Sequence, residues 1–369
     1  MSFYNTIESY GRFDFNAFFA HIRPGDIKRA LNREKLSAHD FLVLLSPKAA
    51  DYLEPMAQRA HRLTVQYFGR TIQLFIPLYI SNFCTNECVY CGFNRRHDIE
   101  RRTLSLDQIE SEAKAIAATG MRHLLLLTGE ARSRTPLEYL ESSIRLLKKY
   151  FASVSIEMFP MNEDEYRRLK AAGVDGLTLY QEVYDTDRYG RLHIAGKKTD
   201  YRYRLEAPER GARAGFRMVN IGPLLGLGDV CSEVFFSGLH ARYLADTYLQ
   251  TDISISLPRL NPAEGDYKAE YSANDRQFVQ FIAALRCFLP RAGITVSTRE
   301  TAAFRDHLIR LGATRFSAGS CTGVGGYAEK HAHATPQFEI TDQRSVAQVV
   351  AAIKRCGYQP VYKDWDQIG

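Results

Sequence analysis

The sequence predicts an α/β protein built as a (β/α)8 TIM-type barrel, carrying an N-terminal helical extension and a C-terminal cap. Eight short apolar runs recur after Arg70, at Gln73 to Ser81, His123 to Glu130, Ser153 to Pro160, Gly176 to Glu182, Arg217 to Leu227, Asp252 to Leu260, Gly293 to Glu300 and Thr314 to Ser320. A polar, helix-like stretch follows each run, which is the βαβ pattern of a parallel sheet buried on both faces. Eight such units close a barrel, and 369 residues suffice for one with extensions. An open doubly wound sheet would also place function at strand ends; the count of eight favours closure.

The chain then divides into a helical extension at 1–70, a barrel at 71–321 and a C-terminal extension at 322–369. From Pro24 to Arg70 apolar residues recur at three- and four-residue spacing, with Ser37 and Ser46 as caps and Gly69 as the stop. Beyond Ser320 come the glycine-rich TGVGGY, a polar segment with His331 and His333, a helix near Ser345 to Arg355 and a terminal KDWDQIG.

Composition narrows the class. Hydrophobic residues make up 45% and charged residues 24%, ordinary globular usage that argues against a disordered or fibrous chain. A formal charge of +6 does not demand nucleic acid, and the bases and aromatics of YRYRL fit an amphipathic helix as well as a single-strand platform. Seven cysteines, an odd number without a secretory leader, argue for a reducing, cytoplasmic setting rather than a disulfide scaffold. The absence of an apolar run of spanning length argues against a membrane protein.

Barrel chemistry sits on the loops after the strands, and the polar residues fall there. Cys84 follows the first run, Thr128, Gly129 and Glu130 close the second, Glu157 lies in the third, Gln181 and Glu182 close the fourth, and Ser297 to Glu300 the seventh. ISNFCTNECVYCGF sets Cys84, Cys88 and Cys91 on one loop without a fourth cysteine. A closed structural zinc site takes four protein ligands, whereas a cubane iron–sulfur cluster on three thiolates leaves one iron for another ligand. His97 keeps a Cys3His zinc site open on ligand type.

This loop, with Tyr90 before the last cysteine, resembles the signature of the radical S-adenosylmethionine (radical SAM) superfamily. The resemblance implies a 4Fe–4S cluster on Cys84, Cys88 and Cys91 whose free iron chelates SAM. It implies SAM contacts from Tyr90, Thr128, Gly129, Glu130, Arg204 and Leu224, and from Glu157 and Glu182 contacts to the SAM ribose or to the substrate region. Arg204 matches an arginine that pairs with the SAM carboxylate, and a guanidinium suits planar carboxylate recognition. Leu224 lies in GPLLGLGD, similar to the motif along adenine, with Asp229 where many members carry glutamate. For the glycines simple turn geometry is an equal reading, and for Glu157 and Glu182 an ordinary ion pair is another.

Resemblance extends along the chain to the 2-iminoacetate synthase family of tyrosine lyases. It rests on LLSPKAADYLEPMAQRAHRLT, PLYISNFCTNECVYCGF, HLLLLTGE, YQEVY, SLPRLNPAEG, STRE, GGYAEKH, QFEITDQRS and KDWD. What this implies is cleavage of the Cα–Cβ bond of L-tyrosine to 2-iminoacetate and p-cresol for thiamine thiazole formation, with SAM converted to 5'-deoxyadenosine and methionine. Ser297 and Arg299 match the pair holding the tyrosine carboxylate. A thiazole synthase subunit is the implied partner, and a flavodoxin-type reductant is a possible electron donor.

Other readings remain. The deazaflavin-forming tyrosine enzyme and tryptophan lyase are relatives of the same branch, and a metal-binding interaction module is the non-enzyme reading. The hydrogenase-maturing tyrosine lyase needs a second C-terminal cysteine group, and after Cys321 only Cys356 remains. Biotin synthase needs further barrel cysteines, and Cys231, Cys287 and Cys321 do not fall in its pattern; small buried hydrophobes are their simpler reading. Arg95, Arg96, Arg101 and Arg102 read as a solvated face, or as a steering patch for an acidic donor. The GGY loop at Gly325 to Tyr327 reads equally as a lid or as a turn into the tail.

Overall fold

The computed structural model describes residues 2–328 and 335–363. Helices come first: α1 (Phe3–Ser9), α2 (Phe15–His21), α3 (Pro24–Asn32), α4 (Ala38–Leu45) and α5 (Leu53–Phe68). Ser37 caps α4 through a reciprocal box, its hydroxyl accepting from Asp40 N at 3.1 Å while the Asp40 carboxylate accepts from Ser37 N at 2.9 Å. Ser46 stands at a cap position as expected, between α4 and a 3-10 turn over Pro47–Tyr52, but its hydroxyl donates back to Val43 O at 2.7 Å and accepts no capping bond. Gly69 stops α5 as expected. The first two helices lie outside the stretch read as helical, and aromatic packing holds them: Phe3 is buried and stacks on His240 at 4.3 Å between ring centres.

Strands and helices then alternate. In order they are β1 (Thr71–Ser81), α6 (Leu106–Ala118), β2 (His123–Thr128), α7 (Leu137–Leu147), β3 (Ser153–Glu157), α8 (Glu163–Ala172) and β4 (Gly176–Glu182). After α9 (Thr186–Leu192), α10 (Tyr201–Leu205) and α11 (Ala207–Arg213) follow β5 (Met218–Pro223), α12 (Val230–Thr247), β6 (Asp252–Ser256) and α13 (Asp275–Phe288). The chain continues through β7 (Gly293–Val296), α14 (Ala302–Leu308), β8 (Arg315–Ser317), α15 (Val346–Arg355) and β9 (Gln359–Val361). Strands β2 to β8 pair in order and β1 pairs with both β8 and β2, so the eight expected strands form a closed parallel barrel. All eight apolar runs contain one of these strands.

The ninth strand was not anticipated. Residue Gln73 pairs with Arg315 of β8 and with Val361 of β9. A residue has two edges, so β9 lies on the edge of β1 that β2 occupies further along, at the barrel's base. The segment 335–342 crosses the opposite end, where Glu339 N donates to Pro262 O at 2.8 Å and Thr341 N and Asp342 N donate to Thr298 O at 2.9 and 3.0 Å. His331, His333 and the KDWDQIG segment beyond Lys363 lie outside the described residues. No helix among the described residues is long and apolar enough to cross a membrane.

Candidate active site

The loop after β1 carries the cysteines, and other parts of the fold hold its shape. Arg101 donates to the carbonyls of Asn82 at 2.7 Å, Phe93 at 2.8 Å and Asn94 at 2.6 Å. It therefore braces the loop, and is not a free charge on a solvated face. Arg95 and Arg96 both pair with the buried Glu87 while their outer surfaces stay in solvent.

A second loop, 192–198, grips the first: Val89 N donates to Leu192 O at 3.1 Å, Glu87 N to Ala195 O at 2.9 Å and Ile194 N to Glu87 O at 3.0 Å. Gly196 sits at φ +96°, and a Cβ there would come 2.2 Å from Asn86 Oδ1, so only glycine lets the two loops approach. Tyr90 locks the pair, its hydroxyl 2.9 Å from His193 Nε2.

All three thiols line one chamber, together with Thr128, Gly129, Glu130 and Arg204. Burial pushes the Cys88 thiol up to about 12 and raises Cys91 as well. Such thiols keep their protons until a cation compensates them, as metal ligation does. His97 faces Gly92 O at 3.2 Å, and among the described residues no three His, Cys, Asp or Glu side chains converge on a single metal ion. Three thiols spaced around a chamber, without a fourth, fit an open-sided cluster by their donor chemistry.

The same chamber supplies the charges a SAM zwitterion needs. Arg204 is buried, its Nε donating to Tyr180 O at 2.8 Å and a terminal nitrogen standing 3.3 Å from Glu182 Oε1. Lys198, which sequence reading missed, donates to the same Glu182 oxygen at 2.7 Å. Burial alone would raise the Glu182 carboxyl, but Lys198 and Arg204 outweigh it and hold it below its ordinary value. Among the described residues Glu182 is also the one non-glycine at positive φ, +73°, where the pairing of β4 with β5 slips by a residue. Backbone strain of this kind, about 1–3 kcal/mol, collects at functional sites.

Glu130 takes a different role from a free acid. Its carbonyl accepts from Thr85 N and Oγ1, both at 2.9 Å, and its carboxylate accepts from Asn86 Nδ2 at 2.7 Å. Thr128 Oγ1 closes on Gly129 O at 2.9 Å. A Cβ on Gly129 would stand 2.4 Å from Phe83 O, inside the cysteine loop. We expect Gly129→Ala to force that loop outward and to lower iron content after anaerobic reconstitution, while far-UV circular dichroism is unchanged. Asp229 serves as the cap of α12, accepting from Ser232 N at 2.9 Å.

A second chamber fills the barrel lumen. Ser297 and Arg299 line it near the mouth with Tyr79, Glu157 and Tyr180, and Gln73, His123 and Arg315 line its lower part. The Arg299 guanidinium lies 3.3 Å over the Phe338 ring. Burial draws its pKa down. Gln337, beside Phe338, accepts from the Tyr79 hydroxyl at 2.7 Å and sets its Nε2 3.9 Å from Cys91 Sγ. A third space, a throat lined by Tyr90, Cys91, Leu224, Glu182 and Arg299, lies between the two chambers and shares walls with both. Glu157 and Tyr180 alone among the described residues line all three spaces.

The residues expected to hold the cluster, SAM and the tyrosine carboxylate border these three spaces: Cys84, Cys88, Cys91, Thr128, Gly129, Glu130 and Arg204 the upper chamber, Tyr90 and Leu224 the throat, Ser297 the lumen, Glu182 and Arg299 two of them and Glu157 all three; Gln181 and Asp229 do not. Lys198, Gln337 and Phe338 have no periodic signal to mark them, since loop residues acquire position only from the tertiary fold; Tyr79 lies within β1, where an apolar run does not single out one ring. The GGY loop is pinned, and does not act as a lid: Tyr327 donates from its hydroxyl to Pro77 O at 2.5 Å, and its N–H donates to Glu112 at 2.7 Å.

Residues 78–234 match the Radical SAM superfamily, and residues 256–359 match the Biotin and Thiamin Synthesis associated domain. The chain is 42% identical over 342 residues to the 2-iminoacetate synthase of Salmonella typhimurium, covering 92% of this chain and 90% of that protein. The same protein of Escherichia coli gives 42% over 342 residues, with the same shares of 92% and 90%. In structure it is similar to the FeFe-hydrogenase maturase HydG from Carboxydothermus hydrogenoformans, with a TM-score of 0.84 and 30% identity over 98% of this chain and 83% of that one. With three thiols on an open chamber, a closed barrel beneath them and this degree of identity, the chain belongs to the 2-iminoacetate synthase family of the radical SAM superfamily.

Proposed function

We infer that this protein is a radical SAM carbon–carbon lyase that cleaves L-tyrosine between Cα and Cβ, giving 2-iminoacetate and p-cresol. The observation that carries the reading is the series of adjoining spaces, sharing Glu157 and Tyr180 as walls, from the three thiols to Ser297 and Arg299. Its family uses a 4Fe–4S cluster and SAM. When bound, these supply the 5'-deoxyadenosyl radical that takes a hydrogen atom from the substrate amino group.

The chain's own residues do the positioning. Cys84, Cys88 and Cys91 are the cluster ligands; Arg204 faces the SAM carboxylate, Thr128, Gly129 and Glu130 its amino group, Glu182 its ribose and Leu224 its adenine. Tyr90 supports the cluster loop. Ser297 and Arg299 hold the tyrosine carboxylate, which places the amine toward the throat, and a fixed near-attack geometry supplies much of such a rate. An apolar upper lumen, with Leu125, Leu127 and Phe75, suits the phenol ring. Phe338 and Gln337 cover the mouth and keep water from the radical and the imine.

The division into extension (1–70), barrel (71–321) and C-terminal extension (322–369) belongs to the same reading, supported by β1 beginning at Thr71 and β8 ending at Ser317. So do a thiazole synthase partner in the cytoplasm, to which a hydrolysable imine is best passed directly, and a flavodoxin-type reductant. The test is anaerobic turnover with SAM, a low-potential reductant and L-tyrosine. We expect 5'-deoxyadenosine, p-cresol and glyoxylate from the hydrolysed imine, without carbon monoxide; tyrosine recovered intact rejects the lyase.

A further inference from the structure

Three acids border the space between cluster and lumen, and two are already engaged. Glu130 holds Asn86, and Glu182 holds Lys198 and Arg204. Glu157, the last residue of β3, is held in the sheet by its backbone, but its carboxylate makes no hydrogen bond or ion pair with another described residue, and what surface the residue keeps opens into the chambers. A half-buried carboxylate that faces a narrow chamber without a partner is costly. In a binding site it marks the place of a ligand's positive charge.

The tyrosine reading says which charge that is. An amino acid whose carboxylate rests on Ser297 and Arg299 carries its ammonium one carbon away. That nitrogen must also face the upper chamber, since the hydrogen atom leaves from it. Glu157 and Tyr180 are the two side chains bordering both spaces, and Tyr180 is a phenol that burial keeps neutral. We propose that Glu157 receives the α-ammonium of bound tyrosine and takes one of its protons, so that a neutral amine faces the upper chamber.

The step is balanced without electrons or a co-reactant: carboxylate and ammonium become carboxylic acid and amine, the N–H bond breaking as the O–H bond forms. It has a chemical purpose. Loss of a hydrogen atom from an ammonium leaves a nitrogen radical that is still cationic, beside Arg299, Arg204 and Lys198. A neutral amine avoids that charge.

The surroundings tune the acid for this exchange. Burial, then the neighbouring Glu182, lifts the Glu157 carboxyl to about 7, with Arg299, Arg204 and Lys198 pulling the other way. Other titratable groups facing it are the phenols of Tyr79 and Tyr180, with Glu130 and the three thiols on the far wall. A base poised near neutrality accepts and returns a proton at small cost.

The proposal rests on the tyrosine reading and is tested without turnover, on reconstituted full-length protein with SAM and no reductant. Binding of L-tyrosine is measured by equilibrium dialysis across about pH 6 to 9, and SAM binding alongside it. In wild type the ionised Glu157 is the competent form, so tyrosine affinity falls about tenfold per pH unit below about 7. In Glu157→Gln the slope disappears and affinity above that pH drops roughly 10- to 100-fold, while SAM affinity holds.

The 15N resonance of bound labelled tyrosine reads the proton directly and needs no variant: an amine shift in wild type supports the proposal and an ammonium shift overturns it. It is overturned as well if the variant keeps the wild-type tyrosine affinity and slope, or if it loses SAM affinity in their place. Wild type that binds no tyrosine at any pH rejects the lyase reading itself.

Discussion

Alanine at Cys84, Cys88 or Cys91, one position at a time, yields protein without the absorption of a 4Fe–4S cluster and without detectable 5'-deoxyadenosine. The size of the effect follows from the ligand count. Removing a residue that merely supports a metal ligand costs about 10–100-fold, and here a ligand itself goes from a site with only three. Alanine at Cys231 or Cys287 is the matched control. Cys231 Sγ approaches Leu45 O at 3.7 Å under the helical extension, and Cys287 is buried in α13, so neither borders the chambers. Iron and acid-labile sulfide are counted per chain. About four irons retained in any of the three variants, or lost in the controls, contradicts the ligand assignment.

The largest loss of stability is expected from Asp342→Ala. Arg305 on α14 and Asp342 on the covering segment form a fully buried ion pair, and Arg344 reaches the same carboxylate at 2.7 Å. Deleting the acid leaves the Arg305 guanidinium buried without its counter-charge, and breaking such a pair costs about 3–5 kcal/mol. Urea unfolding reads this as a lower midpoint. The pair also has a pH signature. Burial alone would raise the Asp342 carboxyl, but Arg344 and Arg305 outweigh it and hold it below its ordinary value. A depressed carboxyl adds stability above its unfolded pKa and loses it as pH falls through the folded value. The wild-type advantage over Asp342→Ala therefore shrinks in acid. An unchanged midpoint at neutral pH would show that the covering segment is anchored elsewhere.

Most of the barrel was legible because its strands are buried on both faces and so read as unbroken apolar runs, as in HLLLLT. The cysteines were legible because a loop of fixed spacing needs no tertiary information. β9 was not, since a three-residue strand such as QPV has no period to detect. The first two helices escaped for the same reason, being seven residues each and held by rings from distant helices. Nothing in the sequence sets Lys198 apart from the other cations; the fold turns it inward onto Glu182. Arg101 shows the converse. It stood in a run of arginines whose default place is solvent, yet its guanidinium spends its hydrogens on main-chain carbonyls.

One stretch of polypeptide reaches both ends of the cylinder: Gln337 and Phe338 line its mouth, and Gln359 to Val361 add a short strand to β1 at its base. Because translation runs from amino to carboxyl terminus, this stretch leaves the ribosome after the cysteine loop and every barrel strand. Until it emerges, Cys91 lacks the Gln337 Nε2 that stands 3.9 Å from its sulfur, and Arg299 lacks the Phe338 ring that covers it. These contacts come last by order of synthesis.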